Sequence, residues 1–157
     1  MNDKEMRDFV EAAVRAAGTR DATAVLTESR EASVRFGQNR ITQNLDVFRR
    51  ELKLTVGDGE RKATLTSQRI DMDALPAIAG EARNLLATAS ADPEYMPPVP
   101  GGAVYPVIHG AWDEYTAECP ASPRMEAVGK VIDRAGEDGY QAAGICGMSS
   151  EQTAVST

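Results

Sequence analysis

The residues best suited to bind a ligand lie between positions 35 and 44 of this 157-residue chain. Guanidinium groups and side-chain amides are concentrated there, and both can recognise carboxylates or the peptide backbone. The alternative is a solvated sheet face, because nearby acidic residues balance the charge of the arginines. The pattern assigns a candidate substrate-binding or interface site to Arg35, Asn39, Arg40, Gln43 and Asn44.

The other reactive side chains do not assemble into a recognisable catalytic set. The chain has one histidine, His109, and two cysteines, Cys119 and Cys146. One histidine cannot build a zinc site without carboxylates from elsewhere. A nucleophilic pair of Cys119 with His109 is conceivable, since such pairs need only be adjacent in space. A solvated loop histidine and two free thiols are the simpler interpretation, so no catalytic residue or metal ligand is assigned.

Charge and composition exclude several function classes. The net charge is −7, so the chain gains little from counterion release at a phosphate backbone. We therefore expect no direct binding of nucleic acid and no attraction to anionic membranes. The sequence has no apolar run of membrane-spanning length and no apolar core of a signal peptide near its start. These features and the unpaired cysteines favour the cytoplasm.

The first half of the chain reads as one helix followed by strands. Helical spacing of apolar residues predicts a helix over 3–17, with Asp3 as a possible N-cap. Alternating apolar residues predict strands over 22–36 and 48–56, with a turn at 37–39 between them. Gly57-Asp58-Gly59 is typical of a two-residue type I′ hairpin, returning through a strand at 61–67.

The second half contains helices separated by a proline-rich excursion. A helix is predicted over about 71–89, with an apolar face formed by Leu75, Ile78, Ala82, Leu85 and Leu86. Residues 91–111 carry five prolines and predict an extended surface segment.

Further along, Ser122 and Pro123 predict the N-cap and first residue of another helix. Its buried stripe is predicted to contain Met125, Val128, Ile132 and Ala135. The rest of the sequence predicts a strand over 141–148, a turn over 149–152 and a new strand from 153. The predicted fold class is α+β, a two-layer sandwich with a mainly antiparallel sheet and about three helices on one face.

Residues 32–44, ASVRFGQNRITQN, resemble a segment of the TldD/PmbA family that reads S-x-S-V-R-F-G-x-N-R-I-T-Q-N. Members of that family are called modulators of DNA gyrase and are described as zinc metallopeptidases. The strand at 50–56, the run Asp92-Pro93-Glu94 and the segment WDEYTAE at 112–118 also echo the family. The resemblance extends over essentially the whole chain.

The resemblance implies a TldD/PmbA-like N-terminal domain over residues 1–157. Such a domain would confine unfolded or short peptides and dimerise with itself or with a paralogous subunit. The family's HExxxH-type zinc signature does not occur here. We therefore expect a fragment whose parent binds zinc and cleaves peptides in a C-terminal domain beyond residue 157. The alternative is a metal-free partner or regulatory subunit that modulates gyrase or a toxin–antitoxin pair.

Overall fold

The computed structural model describes residues 1–99 and 108–157, which form an α+β fold, as the sequence predicts. The four strands have the order β3-β2-β1-β4 in one sheet, and β2 pairs with β3 in antiparallel register. The helices in these two ranges are α1 (Asp3–Ala17), α2 (Leu75–Thr88), α3 (Glu114–Glu118) and α4 (Ala121–Glu137). The strands are β1 (Asp21–Gly37), β2 (Arg40–Gly57), β3 (Lys62–Ser67) and β4 (Gly144–Ser156).

The chain divides into two compact units, called unit 1 and unit 2 below. Unit 1 comprises Met1–Glu28, Arg49–Tyr105 and Gln152–Thr157. Unit 2 comprises Ser29–Phe48 and Pro106–Glu151. Strands β1, β2 and β4 therefore contribute residues to both units.

The core of unit 1 lies between its helices and one face of its strands. Within unit 1, every second residue is buried from Ala22 to Leu26 of β1 and from Leu52 to Val56 of β2, because successive side chains of a strand point to opposite faces. Helices α1 and α2 bury the apolar stripes that their 3.6-residue period creates. The largest fully buried side chains of this unit are Val10, Leu26, Leu52, Leu54 and Val56.

The ends of α1 follow local capping chemistry. Asn2, rather than the predicted Asp3, is the N-cap, because its side chain accepts a hydrogen bond from the Glu5 amide at 2.9 Å. The Glu5 carboxylate accepts one from the Asn2 amide in return, which completes a capping box. At the other end Gly18 adopts a left-handed φ of 60°, as expected for a glycine that stops a helix.

Helix α2 differs from its predicted apolar face at one position. Leu85 is 44% exposed, whereas Ala79 is fully buried in its place. The buried face is centred on Leu75, Ala82 and Leu86. At about 100° per residue, Leu85 lies roughly 80° away from that centre and so faces solvent.

The two hairpins use different turns. Gln38 and Asn39 both have positive φ, at 51° and 56°, which confirms the predicted turn between β1 and β2. The turn between β2 and β3 is longer than the predicted two-residue type, because Gly57 pairs with Lys62. Asp58 explains the difference, since its carboxylate accepts hydrogen bonds from the amides of residues 60 and 61.

Helix α4 of unit 2 begins earlier than predicted. Its N-cap is Pro120, so Ser122 lies inside the first turn instead of capping it. The predicted buried stripe is wrong at Met125, which is 40% exposed, while the adjacent Arg124 is only 5% exposed. The guanidinium group of Arg124, and not the thioether of Met125, therefore lies on the buried side of this turn.

The predicted turn at 149–152 is wrong, because β4 runs without a break from Gly144 to Ser156. β4 is the neighbour of the 17-residue strand β1, and pairing along that long strand overrides the local turn signal. Gly147 fits this pairing closely, since a Cβ there would lie 3.3 Å from the Ala32 carbonyl oxygen. In both described ranges, each helix is too short or too polar to cross a membrane.

Candidate functional site

The five residues predicted to form a binding site all belong to unit 2, at the turn between β1 and β2 and on the adjoining strands. Arg35, Arg40, Gln43 and Asn44 are exposed. The Thr42 hydroxyl donates a hydrogen bond to the Arg35 carbonyl oxygen at 3.2 Å, so the two strands are joined beside these side chains. The structure thus brings the predicted residues to one end of the hairpin and leaves four of them accessible.

Asn39 has a structural role in this turn. Its Nδ2 donates to the Tyr140 carbonyl oxygen at 2.8 Å, and its Oδ1 accepts from the Ala142 amide at 2.6 Å. Both ends of the amide therefore hold the turn against the segment that leads into β4. The partners lie about a hundred residues along the chain, so no local sequence signal could reveal them.

The outer edge of β2 has no neighbouring strand in the part of unit 2 that the structure describes. β3 pairs with β2 only from Leu52 to Gly57, and no other strand of the described ranges lies on that side of β2. Every residue of β2 from 40 to 46 is exposed. Three apolar side chains on this stretch are also exposed: Ile41, Leu45 and Phe48. A strand edge of this kind can pair with another extended chain.

Two buried or half-buried arginines lie close to this strand, and the sequence did not single them out. Arg30 holds Asp46 with two parallel hydrogen bonds, Nε to Oδ1 at 2.9 Å and Nη2 to Oδ2 at 2.7 Å. Its Nη1 also donates to the Ala117 carbonyl oxygen at 3.1 Å, which ties α3 to the sheet of unit 2. These bonds from Arg30 hold the pKa of Asp46 below its usual value, and the charge of Arg124 lowers it further.

Unit 1 contains a cleft of about 140 Å³ where the chain after α2 returns to the sheet. Residues of β1, β2 and β3 line it together with three residues of the segment after α2. The lining consists of Asp21, Ala22, Thr23, Thr55, Val56, Gly57, Lys62, Tyr95, Met96 and Pro98.

The ionisable side chains that line this cleft, Asp21, Lys62 and Tyr95, are paired. The Tyr95 hydroxyl donates to Asp21 Oδ2 at 2.7 Å, and Lys62 Nζ lies 2.8 Å from Asp92 Oδ2. The Lys62 hydrogen bond, followed by one from the Glu94 amide, lowers the pKa of Asp92. These contacts hold the segment after α2 against the sheet. Because the ionisable groups are already paired, the cleft is better suited to bind a small group by shape than to carry out acid–base catalysis.

The Tyr95 contact makes stability sensitive to alkaline pH. Burial, aided by the hydrogen bond to Asp21, raises the pKa of Tyr95 from 10.0 to about 12. Between these pH values the unfolded chain loses the phenol proton while the folded chain keeps it, so the free energy of unfolding falls as pH rises. Urea titrations across this range should show that fall in the wild type and a smaller one in Tyr95→Phe. Equal slopes for the two proteins would contradict the assignment.

The residues present do not fit a zinc ion. His109 is exposed on a loop, and the described ranges contain no group of three or more His, Cys, Asp or Glu side chains that could hold a metal. Cys119 and Cys146 are free thiols. No step of a reaction is therefore assigned to a metal in this chain.

Comparison with known proteins gives no match to a protein-family model and none to a curated protein sequence. Solved structures do match the fold. TldE from Thermococcus kodakarensis superposes with a TM-score of 0.72 and 14% sequence identity over 97% of this chain. The chain has the fold of one part of TldE. It covers 35% of the length of that TldE, so it corresponds to only part of the archaeal protein.

Two further solved structures, of proteins described as proposed modulators of DNA gyrase, also match the fold of this chain. The protein from Thermotoga maritima has a TM-score of 0.68 and 17% identity, covering 98% of this chain and 35% of that protein. The protein from Bacteroides thetaiotaomicron has a TM-score of 0.66 and 12% identity, covering 99% of this chain and 45% of that protein. At these identities the match describes the fold and leaves the activity open.

Proposed function

We propose that this chain is a non-catalytic domain of a TldD/PmbA-type protein that confines unfolded or short peptides. The observation that carries the proposal is the exposed outer edge of β2 from residue 40 to residue 46. An unpaired edge presents backbone N–H and C=O groups that can bind an extended peptide as an added strand. Because backbone pairing requires no particular side chains, such an edge suits a protein that handles many peptide sequences.

The side chains along this edge support peptide binding. Ile41 and Leu45, which are both 38% exposed and lie on the same face of β2, provide apolar contacts for alternate residues of a bound strand. Arg40, Gln43 and Asn44 supply the guanidinium and amide groups predicted to recognise carboxylates or backbone. The site thus combines backbone pairing with a few sequence-tolerant polar contacts.

Peptide cleavage in this proposal belongs to sequence outside the present chain. The described residues do not fit zinc, and the chain covers only 35–45% of the three solved structures compared above. The parent would be a cytoplasmic zinc metallopeptidase, acting as a homodimer or with a paralogous TldD/PmbA-type subunit. This domain would then contribute to the dimer and to the walls of the compartment where substrate is held.

Binding of an extended peptide provides the test. A fluorescently labelled peptide rich in valine and threonine should bind the full chain, as measured by anisotropy. The same peptide N-methylated at alternate residues cannot form the backbone hydrogen bonds of an added strand and should bind about tenfold more weakly or worse. Equal affinities for the two peptides, or binding of neither, would contradict strand addition.

A matched pair of protein variants locates the binding edge. Leu45→Lys places a charge on the β2 edge, and lysines at such positions discourage strand pairing, so peptide affinity should fall. Leu85→Lys adds the same charge at a similarly exposed position on α2 and should leave affinity unchanged. Loss of peptide affinity in both variants would indicate a general effect of the added charge, and would contradict binding of the peptide at the β2 edge.

A regulatory role is the second candidate, because the names of two proteins with this fold refer to DNA gyrase. With a net charge of −7, such a role would use contacts with the gyrase protein more readily than with DNA. Copurification of gyrase subunits with the full-length protein, together with no peptide binding at β2, would favour this candidate.

A further inference from the structure

A buried guanidinium group lies at the start of α4. Arg124 is 5% exposed, and its Nη1 donates to the Cys119 carbonyl oxygen at 2.7 Å. Its Nε and Nη2 are shielded from solvent and have no hydrogen-bond partner within residues 1–99 and 108–157. Buried charged donors without acceptors are strongly unfavourable, so these two nitrogens require a partner from outside the described residues.

The geometry of the unpaired nitrogens indicates the chemistry of that partner. The Nε–H and Nη2–H bonds of arginine lie along one side of the planar guanidinium and match the two oxygens of a carboxylate. Arg30 of this chain uses the same pair of nitrogens in this way, binding the two carboxylate oxygens of Asp46 at 2.9 and 2.7 Å. Arg61 also directs its Nε and Nη2 to a carboxylate, at 2.8 and 2.6 Å from a single oxygen of Asp58.

The surrounding charges favour a ligand with a single negative charge. Arg30 and Arg124 provide two positive charges, and Asp46, which is bound to Arg30, supplies one negative charge nearby. Glu118 also faces Arg30, but it is exposed and its field is weakened by solvent. The cluster of Arg30, Arg124 and Asp46 therefore carries a net charge of about +1, which a monovalent anion would balance.

The start of α4 adds to this preference. No side chain caps the helix, and its first turn contains no acidic residue. Helix N-termini attract anions through their free N–H groups and the helix dipole. The Arg124 side chain points back toward this end, as its bond to the Cys119 carbonyl oxygen shows. Two independent features therefore converge at one place in unit 2.

We propose that Arg124 and the N-terminal turn of α4 form a binding site for a carboxylate group of a peptide. The carboxylate belongs either to the C-terminus of the peptide or to an acidic side chain, since both present the same planar anion. Because the two nitrogens are shielded, binding requires the surrounding side chains to move aside locally. The site is separate from strand addition at β2, so either proposal can fail without the other.

The Nε–H signal of Arg124 in a ¹H–¹⁵N NMR spectrum of the full chain reports ligand binding at this site. This signal is assigned as the one that is absent from the spectrum of Arg124→Lys. Titration with N-acetyl-alanyl-alanine and with the diamide of N-acetyl-glutamic acid supplies a C-terminal and a side-chain carboxylate in turn. At least one should shift the signal saturably, and the stronger of the two identifies the source. The neutral N-acetyl-alanyl-alanine amide should leave the signal in place.

Variants with opposite expected effects separate binding from folding. Arg124→Lys keeps the charge but loses the paired nitrogens, so carboxylate affinity should fall about tenfold or more. Asp46→Asn removes the competing carboxylate and should raise affinity, which a folding defect would not do. Arg134→Lys, on the exposed side of the same helix, is the matched control and should bind as the wild type does.

Four results would overturn the proposal. The Arg124 signal could stay unmoved by either carboxylate, which would mean that water satisfies the two nitrogens. The neutral amide could move it as much as the acids do, or inorganic phosphate could bind more tightly than both. Weaker binding in a folded Asp46→Asn variant would also contradict the charge argument.

Discussion

Replacing Leu54 with alanine is expected to lower the free energy of unfolding by about 2–5 kcal/mol. The Leu54 side chain is 0% exposed and lies in the core that β1 and β2 share with helices α1 and α2. Truncation removes buried methyl groups and leaves a cavity that the packed neighbours fill only in part. Urea-induced unfolding followed by circular dichroism would measure the loss.

The matched control for this substitution is Leu85→Ala. Leu85 was predicted to be buried with the rest of the α2 stripe, but it is 44% exposed. Its truncation should change the free energy of unfolding by less than about 1 kcal/mol. If the two leucines cost the same, the orientation of α2 against the sheet described above would be wrong.

Gly57→Ala is expected to destabilise the chain by about 1–3 kcal/mol. A Cβ at this position would lie 2.2 Å from the Tyr95 hydroxyl oxygen, far inside contact distance. Tyr95 cannot move away freely, because its hydroxyl is bound to Asp21 at 2.7 Å and the adjoining Asp92 is bound to Lys62. The substitution should therefore displace the segment after α2, and urea unfolding would report the cost.

A double-mutant cycle isolates the contact between residues 57 and 95. In a Tyr95→Ala background the added methyl group meets no ring, so Gly57→Ala should cost less there than in the wild type. Gly129→Ala is the control with the opposite expected effect, because nothing lies within 4 Å of a Cβ at that position of α4. The free energy of unfolding should rise there by about 0.5–1 kcal/mol, since alanine favours a helix over glycine. Equal costs of Gly57→Ala in both backgrounds would exclude the proposed clash.

Local sequence signals predicted the elements whose causes are local. Helix α1 ends at Gly18 because the chain there needs a left-handed residue. The strand alternation that contains Leu52, Leu54 and Val56 follows from the two-residue repeat of a half-buried strand. The turn at Gln38 and Asn39 was also visible in the sequence, although its tie to the start of β4 was not.

Signals that depended on distant partners were misjudged. The turn predicted at 149–152 is part of a continuous strand because the long neighbour β1 pairs along it. The five-residue helix α3 was not predicted, since so short an apolar pattern has no clear period. Met125 was predicted to lie on the buried stripe of α4, but it is exposed, and the adjacent Arg124 is buried instead.

The candidate site likewise has features that the sequence predicted and features that only the tertiary structure revealed. Residue type alone identified Arg35, Arg40, Gln43 and Asn44 as exposed polar groups on a hairpin, and their exposure follows from their polarity. Sequence also determined the fold class, because alternation and helical periodicity are set by solvent contact on one face of each element. Only the tertiary structure showed that the outer edge of β2 lacks a neighbouring strand up to the point where β3 begins its pairing. It alone placed Arg30 against Asp46 and buried Arg124, because those contacts join residues far apart in the chain, where no sequence period reaches.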